Sequence, residues 1–266
     1  MAQMKKPTQQ IHRKMTGRRT ADIGYRAFNK AMADAIVSIT KREMRVEREQ
    51  HGNVLGSFLF DGQIPQDRSN RLARADNHIL KMGKRWLEIY DSILALEAVY
   101  MYLKRESSRP SSISAVQHLK YHFEHFLQEI YILHNRLQSF VTLIRRSYKK
   151  DHGFPRHVAV LDALDKLISR STDQVVKTRG QHVHVVRFED ADFLRLSVLE
   201  QIATKDREFQ PFLRAALHEV RKKKLEAISS NNRTVKKFFK IYCKALYPVL
   251  FDRKGNFQLP QGIMEA

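Results

Sequence analysis

The feature that most constrains the fold is a run of large apolar side chains that recur at alternating steps of four and three residues. The run consists of Leu119, Phe123, Phe126, Ile130, Leu133, Leu137, Phe140 and Ile144. This spacing places the side chains on one face of a long α-helix, as in the seam of a coiled coil. Such a seam needs a second helix to cover it, so the sequence predicts a helix-on-helix fold.

The segment before this seam supplies a partner helix. Its apolar face comprises Trp86, Ile89, Tyr90, Ile93, Leu96, Tyr100 and Leu103. The connection 107–114 contains Pro110 and is short, which favours an antiparallel pair. We therefore expect the 119–144 seam to be buried against the 86–103 face.

The remaining segments also carry helical periodicity, and alternating strand patterns are nearly absent. A first helix starts near Asp22, and further helices begin near His157, Asp190, Gln210 and Asn232. Asp190 and Asn232 are suitable N-caps. The sequence predicts an all-α helical bundle with long antiparallel helices. It divides into a basic arm at residues 1–21 and one helical domain at 22–266, with basic helices at 210–247.

The charge balance predicts a polyanionic partner. The chain has 266 residues with 48 Lys and Arg against 28 Asp and Glu, which gives a formal net charge of +20. RNA, DNA and anionic membrane all fit this balance, but we expect no membrane partner because the apolar residues are needed for a core. Apolar runs long enough to span a bilayer and the core of a secretory signal are both missing from the sequence. With Cys243 as the single cysteine, these features predict a cytoplasmic protein without disulfides.

Clusters of cations mark the expected nucleic-acid contacts. They are Arg18 and Arg19 in the arm, and Arg221, Lys222, Lys223, Lys236, Lys237 and Lys240 near the carboxyl terminus. Three aromatic residues lie among the latter: Phe238, Phe239 and Tyr242. Because they share a helical face with apolar neighbours, we expect them to be core rather than base-stacking groups. A protein with these features alone would be a non-catalytic nucleic-acid-binding module, or a regulatory scaffold for an acidic protein.

One short polar segment offers a catalytic alternative. Arg179 and His184 lie in a polar break between two apolar-periodic segments, with His182 two residues before the second. Arginine can hold a phosphate, and histidine can transfer a proton near neutral pH. RNA carries its own nucleophile in the 2′-OH, so these groups could cleave it without a metal ion.

A helical bundle with Arg-x4-His before a late helix resembles the HEPN superfamily, which includes ribonucleases of defence and toxin–antitoxin systems. The likeness covers the motif and a bundle at about residues 71–204. Gly180 departs from the Asn, Asp or His that the family places after the arginine, and Val186 replaces the tyrosine of one toxin subfamily.

The resemblance implies an endoribonuclease that needs no metal or other cofactor. His184 would transfer protons, and Arg179 would hold the scissile phosphate. By its position in the sequence, His182 is either a second proton-transfer group or a neighbour that points elsewhere. It also implies a homodimer that brings two motifs together, and for a toxin an inhibitory protein partner.

A polar stripe flanks the seam one residue before its apolar positions. It consists of His118, His122, His125, Glu129 and Arg136. Histidines at this spacing could bind zinc, but the HExxH pattern is absent and no cysteine accompanies them. We therefore predict no metal site, and expect these side chains to edge the bundle and hydrogen-bond to neighbouring helices.

Overall fold

The computed structural model describes the backbone of residues 8–50, 74–105, 113–151, 153–184 and 190–264. Side chains are described for residues 24–45, 74–105, 113–151, 153–171 and 190–263. The helices are α1 (Thr8–Gln50), α2 (Arg74–Lys104), α3 (Ala115–Tyr148), α4 (Phe154–His184), α5 (Ala191–Lys205), α6 (Gln210–Leu250) and α7 (Gln261–Met264). The described residues contain no β-strand, so the predicted all-α helical bundle is confirmed.

The helices belong to two compact units. Unit 1 consists of Met1–Leu87, Phe140–Leu164 and Phe238–Ala266, and unit 2 consists of Glu88–Ser139 and Asp165–Lys237. Helices α2, α3, α4 and α6 each contribute residues to both units. None of the described helices is both long and apolar enough to cross a membrane.

The core of unit 1 is built from aromatic rings. The indole of Trp86 stacks on the ring of Phe239, with centroids 4.9 Å apart and planes 9° apart. Phe28 packs against the same indole at 4.5 Å, and Trp86 Nε1 donates a hydrogen bond of 3.2 Å to Asn29 Oδ1. The indole N–H is therefore paired although the ring is buried, as a stable core requires.

A second group of packed rings in unit 1 surrounds a buried histidine. His78 lies between Tyr148 and Phe257, with ring centroids 6.0 Å from each. The Tyr148 hydroxyl donates a 2.6 Å hydrogen bond to the Gln258 carbonyl, which joins α3 to the segment after α6. That segment reverses direction at Gly255, whose φ of +88° suits glycine.

Contacts in unit 2 confirm the antiparallel pairing of α2 and α3. Arg136 Nη1 donates to the Glu88 carbonyl at 2.7 Å and to Ser92 Oγ at 2.5 Å. Further along α2, the ring of Tyr102 stacks on His122 of α3 at 5.8 Å. Residue numbers thus rise along one helix as they fall along the other.

The predicted seam on α3 is buried, apart from a half-buried Phe123. On the predicted α2 face, Tyr90 is misplaced because it is 37% exposed, and Tyr100 is only half-buried. In a helix, the side chain of Tyr90 is rotated by about 100° around the axis from that of the buried Ile89. This rotation turns Tyr90 away from the narrow stripe that α3 covers.

The predicted N-cap at Asp190 is confirmed, and a buried lysine reinforces it. Asp190 Oδ1 accepts the Asp192 backbone N–H at 2.9 Å. Lys224 of α6 lies 2.5 Å from Asp190 Oδ2 and 3.2 Å from Asp192 Oδ2. Its ammonium also lies over two rings, 4.8 Å from Phe123 and 5.2 Å from Phe193. The amino-terminal end of α5 is therefore fixed to α6 by charge as well as by packing.

Two helix boundaries differ from the sequence prediction. A helix was expected to start at Asn232, but α6 continues through it, and Asn232 Nδ2 instead donates to the Leu96 carbonyl at 3.1 Å. Asn232 therefore bonds to α2 from inside a continuous helix, and its Oδ1, the atom that would accept a capping bond, has no partner among the described residues. Helix α1 begins at Thr8, inside the region 1–21 that was expected to be a basic arm.

Candidate nucleic-acid interface

A basic groove lies in unit 2 between the carboxyl-terminal end of α2 and the first part of α6. We call it the α2–α6 groove, and its volume is about 480 Å³. It is lined by Tyr100 and Lys104 of α2, and by His218, Arg221, Lys222, Leu225, Glu226, Ser229 and Arg233 of α6.

The spacing of residues along α6 explains how the groove forms. His218, Lys222, Ser229 and Arg233 follow one another at steps of four, seven and four residues, so they share one helical face. Apolar residues on the other side of the same segment are buried, namely Ala216, Val220 and Ile228. Burial of one face in the core therefore presents the polar face to the groove.

Arg221 connects the two walls of the groove. Its Nη2 donates to the Leu103 carbonyl at 2.8 Å and to the Lys104 carbonyl at 3.3 Å, and its Nε donates to the Leu103 carbonyl at 3.2 Å. The last carbonyls of a helix lack partners within the helix and carry partial negative charge. The guanidinium therefore stabilises the end of α2 and holds Lys104 beside α6.

The groove has a strong excess of positive charge. Lys104, Lys222 and Arg233 are exposed, and Arg221 is half-buried. Glu226 is the one acidic residue among the described residues that line it. His218 adds an exposed imidazole at the same surface. An anion with several charges along its length would gain favourable contacts here.

The predicted cations divide into groups with different roles. Arg221 and Lys222 line the groove, as described above. Lys223 pairs with Asp192 at 2.8 Å, and Lys236 pairs with Glu97 at 2.7 Å. The bond to Asp192 raises the pKa of Lys223 and is the main reason that the pKa of Asp192 is lowered. These two lysines therefore support helix contacts within unit 2.

Two further predicted cations, Lys237 and Lys240, do not line the groove. Lys237 is exposed at the end of unit 2, and Lys240 is half-buried in unit 1. Arg18 and Arg19 belong to the backbone of α1, but their side chains are outside the described residues. The aromatic residues among the carboxyl-terminal cations are buried, which confirms that Phe238, Phe239 and Tyr242 are core.

The Arg179–His184 segment has a different backbone from the one expected. It forms the last turns of α4 rather than a polar break between two helices. The resemblance implies a position at the start of a late helix, whereas these residues end one. In this segment Gly180 alone has a poor helix propensity, and one glycine costs only about 1 kcal/mol relative to alanine. The side chains of Arg179, His182 and His184 are outside the described residues.

The hydrogen bonds that the polar stripe on α3 was predicted to make with a neighbouring helix are confirmed for Arg136, whereas His125 pairs within α3. Arg136 hydrogen-bonds to α2, and His125 Nε2 lies 3.9 Å from Glu129 Oε1. Among the residues whose side chains are described, no group of three potential ligands is arranged to hold a metal ion.

Among the residues that line the groove, Tyr100, Lys104 and His218 were missed in the sequence. Tyr100 was assigned to the apolar face of α2, and Lys104 and His218 were not singled out. The stripe of His218, Lys222 and Arg233 on α6 could have indicated a polar face. Its pairing with the end of α2 depends on the Arg221 bonds, which no local pattern reveals.

Comparisons with known proteins give no relative from which a role could be transferred. Protein-family models, curated protein sequences and solved structures were compared with the chain, and none of them matches. The candidate site is therefore identified by its own geometry and charge.

Proposed function

We propose that the chain binds RNA or other single-stranded nucleic acid through the phosphate backbone, with the α2–α6 groove as the contact surface. The observation that carries this proposal is the groove's charge, with Lys104, Arg221, Lys222 and Arg233 set against Glu226. Lysines act as point charges for phosphate, and arginines can contact two phosphate oxygens at once.

The charge of the whole chain supports the same partner. A formal net charge of +20 attracts a polyanion over long range and speeds its encounter with the groove. When cations neutralise phosphates, counterions are released into solution, and this release supplies much of the binding free energy. The groove then determines which cations make close contact.

The test is the salt dependence of binding to a single-stranded RNA oligonucleotide. Contacts with four phosphates predict a slope of about −3 for the logarithm of the affinity against the logarithm of the salt concentration. Polyglutamate of similar length serves as the competitor. No binding at low salt, binding that does not weaken with salt, or equally tight binding of polyglutamate would each contradict the proposal.

Ribonuclease activity at Arg179 and His184 stays a prediction from sequence, as do the homodimer, the inhibitory partner and the cytoplasmic location. Purified protein should cleave single-stranded RNA in the presence of EDTA, because the 2′-OH attack needs no metal ion. His184→Ala should abolish cleavage while RNA binding persists. Cleavage that requires Mg²⁺, or that survives this substitution, would contradict the mechanism.

A further inference from the structure

Unit 2 carries a second cluster of side chains that the groove does not include. We call it the ring cluster, and it consists of Tyr102 on α2 and His118, Tyr121, His122 and His125 on α3. His122 lies at its centre, with ring centroids 4.5 Å from His118, 5.3 Å from Tyr121 and 5.8 Å from Tyr102. Tyr121 also lies nearly parallel to His125, at 6.3 Å and 12°.

The outer rings of the cluster face solvent. Tyr121 is 65% exposed and Tyr102 is 54% exposed, although both are large aromatic residues. Their ring neighbours include the imidazoles of His122 and His125, so the surface combines flat ring faces with polar edges. The exposed apolar residues of α5 are of a different kind, because Leu194, Val198 and Ile202 offer no ring face.

The environment of the central ring favours its neutral form. The pKa of His122 is lowered, first by loss of solvent and then by the neighbouring His118 and His125. A neutral imidazole between tyrosines stacks with aromatic partners without adding a charge to the surface. This surface is therefore suited to contacts other than the ionic contacts of the groove.

We infer that the ring cluster stacks the bases of single-stranded nucleic acid, which gives the chain a preference for single strands over duplexes. This inference rests on the proposed function, since the phosphates would be held in the α2–α6 groove. Every base has an aromatic face, so stacking on exposed rings is tolerant of sequence. In a duplex the base faces are already covered by one another, and only the backbone contacts remain.

The two surfaces share the last turn of α2. Lys104 lines the groove, and Tyr102 belongs to the ring cluster two residues earlier. Residues two apart on a helix lie on nearly opposite sides, and a helix with its side chains is about 10–12 Å across. The helix end thus carries a phosphate-binding group on one side and a stacking group on the other.

The test compares ring removal with ring retention at one exposed position. Tyr121→Leu removes the ring but keeps an apolar side chain, whereas Tyr121→Phe keeps the ring. The probes are single-stranded oligoadenylate and a duplex RNA of the same length. Tyr121→Leu should weaken oligoadenylate binding about tenfold, with the salt slope and the duplex affinity unchanged. Tyr121→Phe should bind oligoadenylate like the wild type.

Tyr90→Leu is the matched control, because Tyr90 is an exposed tyrosine of unit 2 outside the cluster. It should leave binding unchanged, and Tyr102→Leu should repeat the loss seen for Tyr121→Leu. Thermal unfolding of each variant shows that the fold is retained.

Several results separate this inference from the proposed function. Unchanged oligoadenylate binding by both Tyr121→Leu and Tyr102→Leu would overturn the stacking role while leaving the backbone-binding proposal intact. A changed sedimentation coefficient for Tyr121→Leu with unaltered RNA affinity would make the cluster a protein interface instead. Failure of the wild type to bind either probe at low salt would overturn both proposals.

Discussion

Two clusters of aromatic and histidine residues, one in each unit, are placed in opposite ways. In unit 1, Trp86 and Phe239 are buried, and His78 is 8% exposed. In unit 2, Tyr121 is 65% exposed and lies beside His122 in the ring cluster. The same residue types thus form part of a core in the first cluster and part of a surface in the second, and residue type alone does not distinguish the two roles.

Helix α6 shows the same contrast within one element. Its part in unit 1 buries Phe238, Phe239 and Tyr242, whereas its part in unit 2 contains most of the lining of the α2–α6 groove. Substitutions in the core of unit 1 should therefore change the stability of the fold, and substitutions on the surface of unit 2 should change binding.

The largest expected effect is on the stacked core of unit 1. Phe239→Ala removes the ring that stacks on Trp86 and should lower the free energy of unfolding by about 3–5 kcal/mol. Phe212→Ala is the control on the same helix, because Phe212 lies in unit 2 and is 65% exposed. Denaturant unfolding of both variants measures the difference. Equal losses would mean that the contrast between the units is wrong.

The next effect concerns the buried histidine of unit 1. The pKa of His78 is lowered to about 4, first by burial and then by the charge of Lys81. Because the folded state holds this pKa below its ordinary value of 6.5, it takes up fewer protons than the unfolded chain between these values. Stability should therefore fall by up to about 3 kcal/mol as the pH drops through this window.

His78→Leu isolates this contribution from those of the carboxylates. The unfolding free energy of the wild type and of the variant is compared at about pH 7 and about pH 4.5. The variant should lose less stability than the wild type on acidification. An identical loss in both proteins would exclude His78 as the cause.

A smaller effect separates two neighbouring lysines of unit 2. Lys224 is buried and lies beside both Asp190 and Asp192. The adjacent Lys223 is exposed, and of these two carboxylates it pairs with that of Asp192. Lys224→Met leaves the partly buried carboxylate of Asp190 without its cation and should cost about 2 kcal/mol of stability. Lys223→Met should cost much less, because solvent screens an exposed pair. Urea unfolding tests this order, and a reversed order would contradict the assigned burial.

The fold was largely predictable because its main signals are local. The seam on α3 follows from spacing alone, and the N-cap at Asp190 follows from residue type beside an apolar run. Asn232 misled the prediction for the same reason, since it has an N-cap residue type but bonds to Leu96 across the bundle. Local patterns therefore located helices well and helix ends less well.

The candidate site was only partly predictable because it depends on contacts distant in sequence. Arg221 and Lys222 stood out as part of a basic run, but the run does not show that Arg221 binds the end of α2. It also does not show that Lys223 and Lys236 pair with carboxylates. Tyr100 and Lys104 become part of the site only through the packing of α2 beside α6.

The most direct test of the account compares two charge-matched double variants in RNA binding. Lys222→Gln with Arg233→Gln neutralises two exposed cations of the groove, and Arg253→Gln with Lys254→Gln neutralises two exposed cations of unit 1. If the groove contacts phosphates, the first pair should weaken binding of single-stranded RNA and reduce the magnitude of the salt slope by about 1.4. The second pair should leave the slope unchanged. Equal weakening by both pairs, or no change with the first, would contradict the α2–α6 groove as the binding surface.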